Sequence, residues 1–321
     1  MMSYLLRRTA FLVLTLLMAS VALFLLLRLL PGDPANALLS VGATDEQIAA
    51  ARHQIGSDQP LLSQFWSWLG QLATLHLGTS FVSTLPVGPE IASRLVVTVP
   101  LTLAAFVLAV VIAVPVGFLA AYRARTWYGS VLGVVSQLGI AVPAFWLGLL
   151  LIALFALRLR VLPAGGFPTG DWSDPAHAVR SLVLPVVTVA LIMSASLIRY
   201  VRSATLDVIG SDYLRTARAL GSSFVAAMWR HGLRNAAVPV VSILGIELAT
   251  TFLGAVVVES VFALPGLGSM LVRAVAQHDY PVIQGVLFVS TFGVLVIGFF
   301  ADIAQRVIDP RLRRTLSGRL G

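Results

Sequence analysis

Ser211-Asp-Tyr-Leu-Arg-Thr-Ala-Arg-Ala-Leu-Gly221, followed by Arg230-His-Gly-Leu-Arg-Asn235 and Pro239, is a polar, basic segment between two strongly apolar stretches. Its apolar positions Leu206, Ile209, Tyr213, Ala217, Leu220, Phe224 and Met228 recur every three or four residues, the spacing of one helix face. Arg215, Arg218, Arg230 and Arg234 lie off that stripe. Gly221 suits a helix end in left-handed geometry, and Ser222 or Ser223 can cap the next helix, so the pattern predicts two short helices meeting at a bend. Two readings stand side by side. One is a docking surface for another protein on the cytoplasmic side; the other is an amphipathic helix lying on anionic lipid.

The flanks decide the fold class. The chain has 321 residues, 58% of them hydrophobic and only 11% charged, with a mean hydropathy of +0.92. Soluble domains hold about 45–50% apolar residues. Windows at 9–30, 98–121, 133–157, 181–201, 236–261 and 284–305 are each long and apolar enough to cross a hydrocarbon core as a helix. Continuous runs of this length argue for helices rather than a barrel. The expectation is an all-α polytopic membrane protein with six transmembrane helices. Arg7 and Arg8 precede the first window, Arg123 and Arg125 follow the second, and Arg199, Arg202, Arg215, Arg218, Arg230 and Arg234 surround the connection from the fourth to the fifth. Arg306, Arg311, Arg313, Arg314 and Arg319 follow the sixth. An even number of spans puts all of these on one face, so both termini are expected in the cytoplasm of a cell-membrane protein. The net charge of +8 then reflects topology and anionic headgroups, and no aromatic-rich basic module points to nucleic acid. Arg7 and Arg8 before an apolar run, with Ser20-Val21-Ala22 beyond, resemble a signal peptide, but the run continues to Leu30, which favours an uncleaved span.

Every one of the 22 basic residues is arginine. A phosphate-binding P-loop needs its lysine and a Schiff base needs an amine, so the chain binds no ATP through such a loop and forms no imine. Any ATP that drives it is bound by another subunit. Cysteine is absent, and His53, His76, His177, His231 and His278 are scattered singly, without the spacing of a metal site. No Gly-x-Ser-x-Gly elbow or converging pair of intramembrane carboxylates is present. The chain is expected to hold no metal, no cofactor and no catalytic residue.

Arg28-Leu-Leu-Pro-Gly-Asp-Pro34 ends the first window and turns the chain out of the bilayer, with Arg28 placed to snorkel. Residues 31–95 read as an extracytoplasmic subdomain. Within it Thr44-Asp-Glu-Gln47 has a capping-box pattern, and 61–75, with Trp66 and Trp68, reads as an amphipathic interfacial helix. Pro100, Pro115, Pro143, Pro185 and Pro239, with glycines in the same windows, allow bending and close helix approach. Glu247 falls about midway along the fifth window, Glu259 near its outer end and Asp302 near the inner end of the sixth. Charges at such depth usually face a bundle interior or water, which makes Glu247 and Glu259 candidate pathway residues. Glu247 is equally accounted for by a structural pair with arginine or a polar neighbour, and Glu259 and Asp302 are read first as interfacial packing. Residues 263–281 are too short and broken to span, and suit a re-entrant or interfacial piece.

The basic segment is similar to the cytoplasmic EAA loop of binding-protein-dependent ABC importers, with Ala217, Gly221 and Leu233 at matching places. Arg215 stands where that loop usually has Glu, and His231 and Arg234 replace the usual Ile and Pro. Those departures resemble the peptide/nickel permease branch. So do LLPGDP after the first window, LGTSF at 77–81, PVGPEIASRL at 86–95, PAFWLGLLLI at 143–152, LPAGGF at 162–167, VVESVFALPGLG at 257–268 and DYPVIQG at 279–285. In this order they resemble the B-type dipeptide/oligopeptide permease over nearly the whole length; His76 and Glu247 depart from its pattern.

The resemblance implies a first transmembrane helix at 1–30, the extracytoplasmic insertion at 31–95, a type I permease core at 96–310 and a cytoplasmic tail at 311–321. A coupling loop at 203–238 would meet the ATPases through Asp212, Tyr213, Arg215, Thr216, Ala217, Arg218, Ala219, Gly221, Arg230, His231, Leu233, Arg234 and Asn235. It also implies a homologous C-type permease as heterodimer partner, two ABC ATPase subunits holding ATP and Mg, and an extracytoplasmic peptide-binding protein. The cargo implied is di- or oligopeptides, with nickel chelates or glutathione-like peptides as alternatives. A proton-coupled secondary transporter using Glu247 is the competing class, although no internal repeat supports it.

Overall fold

The computed structural model describes residues 2–29, 44–55, 58–74 and 76–308. Most of the turn after the first window and the tail at 311–321 lie outside them. Among the described residues the chain is helical without a strand, apart from one isolated bridge between Thr79 and Pro86. The helices are α1 (Met2–Leu29), α2 (Asp45–Ile55), α3 (Leu61–Ala73), α4 (Val87–Tyr122), α5 (Trp127–Ala141), α6 (Ala144–Leu151), α7 (Pro175–Ile209), α8 (Asp212–Ala219), α9 (Phe224–Ala227), α10 (Leu233–Val261), α11 (Leu267–Ala276) and α12 (Tyr280–Ile308).

Five of them, α1, α4, α7, α10 and α12, are long and apolar enough to cross a membrane. The remaining window departs from expectation. The continuous helix expected over 133–157 is instead two pieces, α5 and α6 with its extension to Arg158, bent by 101°. Pro143 offers no N–H and holds Val142 out of helical geometry, at φ −78° and ψ 121°, so the chain turns there. Only if this bent pair counts as one broken span are there six. Pro100, Pro115, Pro185 and Pro239, by contrast, sit inside uninterrupted helices.

The chain divides into two compact units. One draws on Met1–Val99 and Ala263–Leu295, the other on Pro100–Phe262 and Val296–Gly321. In the first unit the capping box expected from the sequence forms: Gln47 N–H donates to Thr44 Oγ1 at 3.4 Å, and Thr44 N–H donates to Gln47 Oε1 at 2.9 Å. Trp66 and Trp68 separate in role. Trp66 is exposed, whereas Trp68 joins Phe24, Phe65 and Phe288 in an aromatic cluster with centroids 5.4–6.4 Å apart. Arg28 lies over the Phe24 ring and donates to Gln64 Oε1, a protein anchor where a headgroup was expected. Asp279 is buried, accepts from Ser80 Oγ and takes the Phe81 N–H at 3.1 Å, which ties the loop after α3 to the start of α12. Within 263–281 the chain forms the short, packed α11, whose Leu267 N–H donates to Thr98 Oγ1 of α4 at 2.9 Å.

In the second unit α7 is the central post, with seventeen buried residues. It is approached closely by α4: a Cβ on Gly117 would lie 2.7 Å from Val201 Cβ and 2.9 Å from the Ile198 carbonyl. Small residues at such crossings let backbones come together where lipid supplies no hydrophobic drive.

Candidate functional site

The basic segment folds as two helical pieces around Gly221. Helix α8 ends in a Schellman motif: Ser222 N–H donates to the Ala217 carbonyl at 3.1 Å and Gly221 N–H to that of Arg218 at 3.0 Å. Gly221 takes φ +91°, the left-handed region. Ser223, rather than Ser222, caps α9, its Oγ accepting from Ala226 N–H at 3.3 Å. The second piece is not a separate short helix. Helix α9 passes through a π turn at Met228–Gly232 straight into α10, so the loop ends as the extension of a long apolar helix. Such π turns are frequent at functional sites.

The stripe read from spacing is only partly the buried face. Leu214, Val208, Ala227 and Met228 form the core of the segment, with Phe118, Ile209, Ala217, Phe224 and Ala236 packed against it. Leu214, off the stripe, is 1% exposed, while Tyr213 and Leu220, on it, are 42% and 83% exposed. Leu214 packs instead into a cluster with Val208 of α7 and Met228 of the turn into α10, so tertiary contacts rather than the stripe decide which face turns inward. The ring of Tyr122 lies 5.0 Å from that of Phe224, and the Arg218 guanidinium lies 5.9 Å from the latter. Burying one leucine is worth about 1.5–3 kcal/mol, so this packing fixes α8 against the bundle and leaves its inner face unavailable to lipid.

Most residues singled out from the sequence then lie on the open surface. Asp212, Tyr213, Arg215, Thr216, Arg218, Ala219, Gly221, Arg230, His231, Leu233 and Asn235 are exposed, and Ala217 is half-buried. The Arg234 side chain lies outside what the structure describes. Arg215 and Asp212 pair at 3.6 Å in full exposure, a contact of little energetic weight. Sequence reasoning passed over Val225 and Trp229, which are 72% and 77% exposed and, with Leu220, give this surface a strongly apolar character. A tryptophan in a basic loop was the available signal.

Glu247 is half-buried on α10 and its Oε1 accepts from Ser196 Oγ of α7 at 2.6 Å. Glu259 is fully buried. The structure does not bring the two together: twelve positions, about 18 Å of helix, separate them.

Two family models match most of the sequence. Residues 113–314 match the binding-protein-dependent transport system inner membrane component, and residues 1–102 match the N-terminal part of such membrane components. The chain belongs to this family. A Brucella abortus protein named as a peptide transport system permease is 38% identical over 314 residues, covering 98% of this chain and 99% of its own. The Escherichia coli glutathione transport system permease protein GsiC is 37% identical over 313 residues, with the same coverages. In fold, the chain is similar to the inward-facing MetNI methionine ABC transporter, with a TM-score of 0.57 at 18% identity, over 68% of this chain and 96% of that one. The chain is therefore a multi-pass membrane permease of the ABC importer class, and the self-sufficient proton-coupled transporter gives way to that assignment.

Proposed function

We propose that this permease forms half of the translocation pathway of an ATP-driven importer for di- and oligopeptides, glutathione-like peptides among them. The relatives named for peptide and glutathione transport, matched end to end, carry this reading. A C-type permease would complete the pathway, a binding protein would deliver cargo from outside, and both termini of this chain would lie in the cytoplasm. The insertion at 31–95, the core at 96–310 and the tail at 311–321 would divide the chain's labour.

The surface at 211–235 would receive two ATPase subunits. What supports it is a packed α8 beside an α9 continuous with α10: a push on that surface has a rigid path into a long apolar helix. ATP and Mg²⁺ would reside in the ATPases, since a chain without lysine offers no P-loop. Glu259, fully buried, suits packing more than cargo contact.

The test is to tag the chain, extract it in mild detergent from native membranes and identify stoichiometric companions by mass spectrometry. Expected are a second permease of this family and one or two P-loop ATPases. Purification of the chain alone, with ATP-independent peptide uptake in proteoliposomes, would overturn the reading.

A further inference from the structure

Glu247 lies equally far from both ends of α10, with about 20 Å of helix on either side. A carboxylate at this depth is costly unless it is wet or paired. Among the described residues no arginine pairs with it; its hydrogen-bond partner is the Ser196 hydroxyl. The open face of α10 beside it runs through Ile246, Thr250, Leu253, Gly254, Val257 and Ser260, all exposed. That face is mixed, three large apolar side chains alternating with two hydroxyls and a glycine. The open face of α4, by contrast, runs through Val96, Val99, Leu103, Val107, Val111 and Val114 without a polar group, as lipid requires. The carboxylate thus borders the one of these two faces that carries polar groups.

The carboxylate suits a cation, and a primary ammonium asks least of it. A carboxylate offers about four acceptor positions on two oxygens, and Ser196 occupies one of them on Oε1. A guanidinium binds best in fork geometry, using both oxygens at once. A primary ammonium is a compact charge that needs only one oxygen, and Oε2 remains for it.

We propose that Glu247, oriented by Ser196, accepts the primary ammonium of the cargo, the amino terminus of a peptide, halfway through the membrane. Glu247 is then a specificity-determining residue and Ser196 a positioning residue. The inference rests on the peptide-importer reading. The ammonium supplies a counter-charge that no described residue of this chain provides.

The test uses the whole importer, with its partner permease, ATPases and binding protein, in proteoliposomes. Uptake of trialanine is compared with that of N-acetyl-trialanine, for wild type and Glu247→Gln; discrimination by the binding protein is common to both and cancels in the ratio. The expected result is a loss of about tenfold in trialanine uptake for Glu247→Gln, with the acetylated peptide unchanged. Glu247→Asp should retain most trialanine uptake, and Ser196→Ala should raise KM more than it lowers kcat. Equal loss for both peptides, or equal loss in the Gln and Asp variants, makes Glu247 structural and overturns the proposal. Equal loss accompanied by uptake that follows external pH assigns the carboxylate to a proton and overturns it too. Wild-type uptake of neither peptide, with the complex intact and hydrolysing ATP, defeats the peptide reading itself, a failure distinct from that of the inference.

Discussion

At the scale of single residues, the left-handed Gly221 is the most exacting position. A Cβ there would meet nothing within 4 Å, so the cost of substitution is conformational rather than steric. Gly221→Val should strain the turn by about 1–2 kcal/mol or more, while Gly221→Asn, which tolerates that region, should cost less. Uptake and cargo-stimulated ATPase activity of the assembled importer should fall in the order Gly, Asn, Val, with the amount of folded permease in the membrane little changed. A fall in folded amount that parallels activity would remove the turn from the coupling path. Asp279 gives a second test. Its two oxygens serve Ser80 Oγ and Phe81 N–H, and the Ser80 hydroxyl in turn accepts from the amides of Val82 and Ser83 at 3.2 and 2.9 Å. Asp279→Ala strands buried donors at about 1–3 kcal/mol each, and Asp279→Asn keeps one acceptor. The thermal midpoint of the detergent-purified protein should drop for both, more for Ala; equal midpoints would show the buried clamp to be dispensable.

Among elements, the bent pair α5 and α6 separates what hydropathy conveys from what it omits. The windows at 98–121, 181–201, 236–261 and 284–305 all became single long helices, because an apolar run of that length has one way to satisfy its backbone in lipid. The run at 133–157 is as apolar, yet it turns by 101° at Val142 and Pro143. Hydropathy reports what a segment can dissolve in, not its direction, and Pro143 looks in sequence like Pro100 or Pro185, past which the helix continues. The loop shows the same limit. Its bend, its left-handed glycine and its serine cap were legible because they are local; which apolar residues turn inward was not, since Leu214 is buried in a cluster that draws on residues as remote in sequence as Phe118 and Ala236. Helix α6 holds its angled place by close approach to the end of α10, where a Cβ on Gly148 would lie 3.1 Å from the Phe262 ring. Gly148→Ala should be absorbed by a shift of a few tenths of an ångström. Gly148→Leu should overpack the crossing by about 1–3 kcal/mol and lower the yield of monodisperse protein in size-exclusion chromatography. Full yield for the leucine variant would mean that α6 is not held there.

For the whole molecule, the question is what force joins this permease to the subunits that hydrolyse ATP. Its sequence advertises charge: four arginines lie in the segment from 211 to 235. The folded surface argues otherwise, since the Arg215–Asp212 pair is fully solvated while Leu220, Val225 and Trp229 present large apolar area beside it. Solvated ion pairs contribute about 0–1 kcal/mol, whereas an aromatic anchor desolvated at the centre of an interface is commonly worth about 2 kcal/mol or more. Trp229 also sits in the π turn that leads into α10, so any force received there would enter a long helix directly. The affinity of the ATPase subunits for the permease in lipid nanodiscs, measured by interferometry, should therefore fall about thirtyfold for Trp229→Ala and less than about fivefold for Arg215→Ala. It should change little between about 0.1 and 0.5 M salt, where an interface resting on exposed charges would weaken steeply. The reverse pattern, an arginine variant and salt both dissociating the complex while Trp229→Ala binds normally, would assign docking to the basic side chains and leave the apolar ridge to membrane lipid.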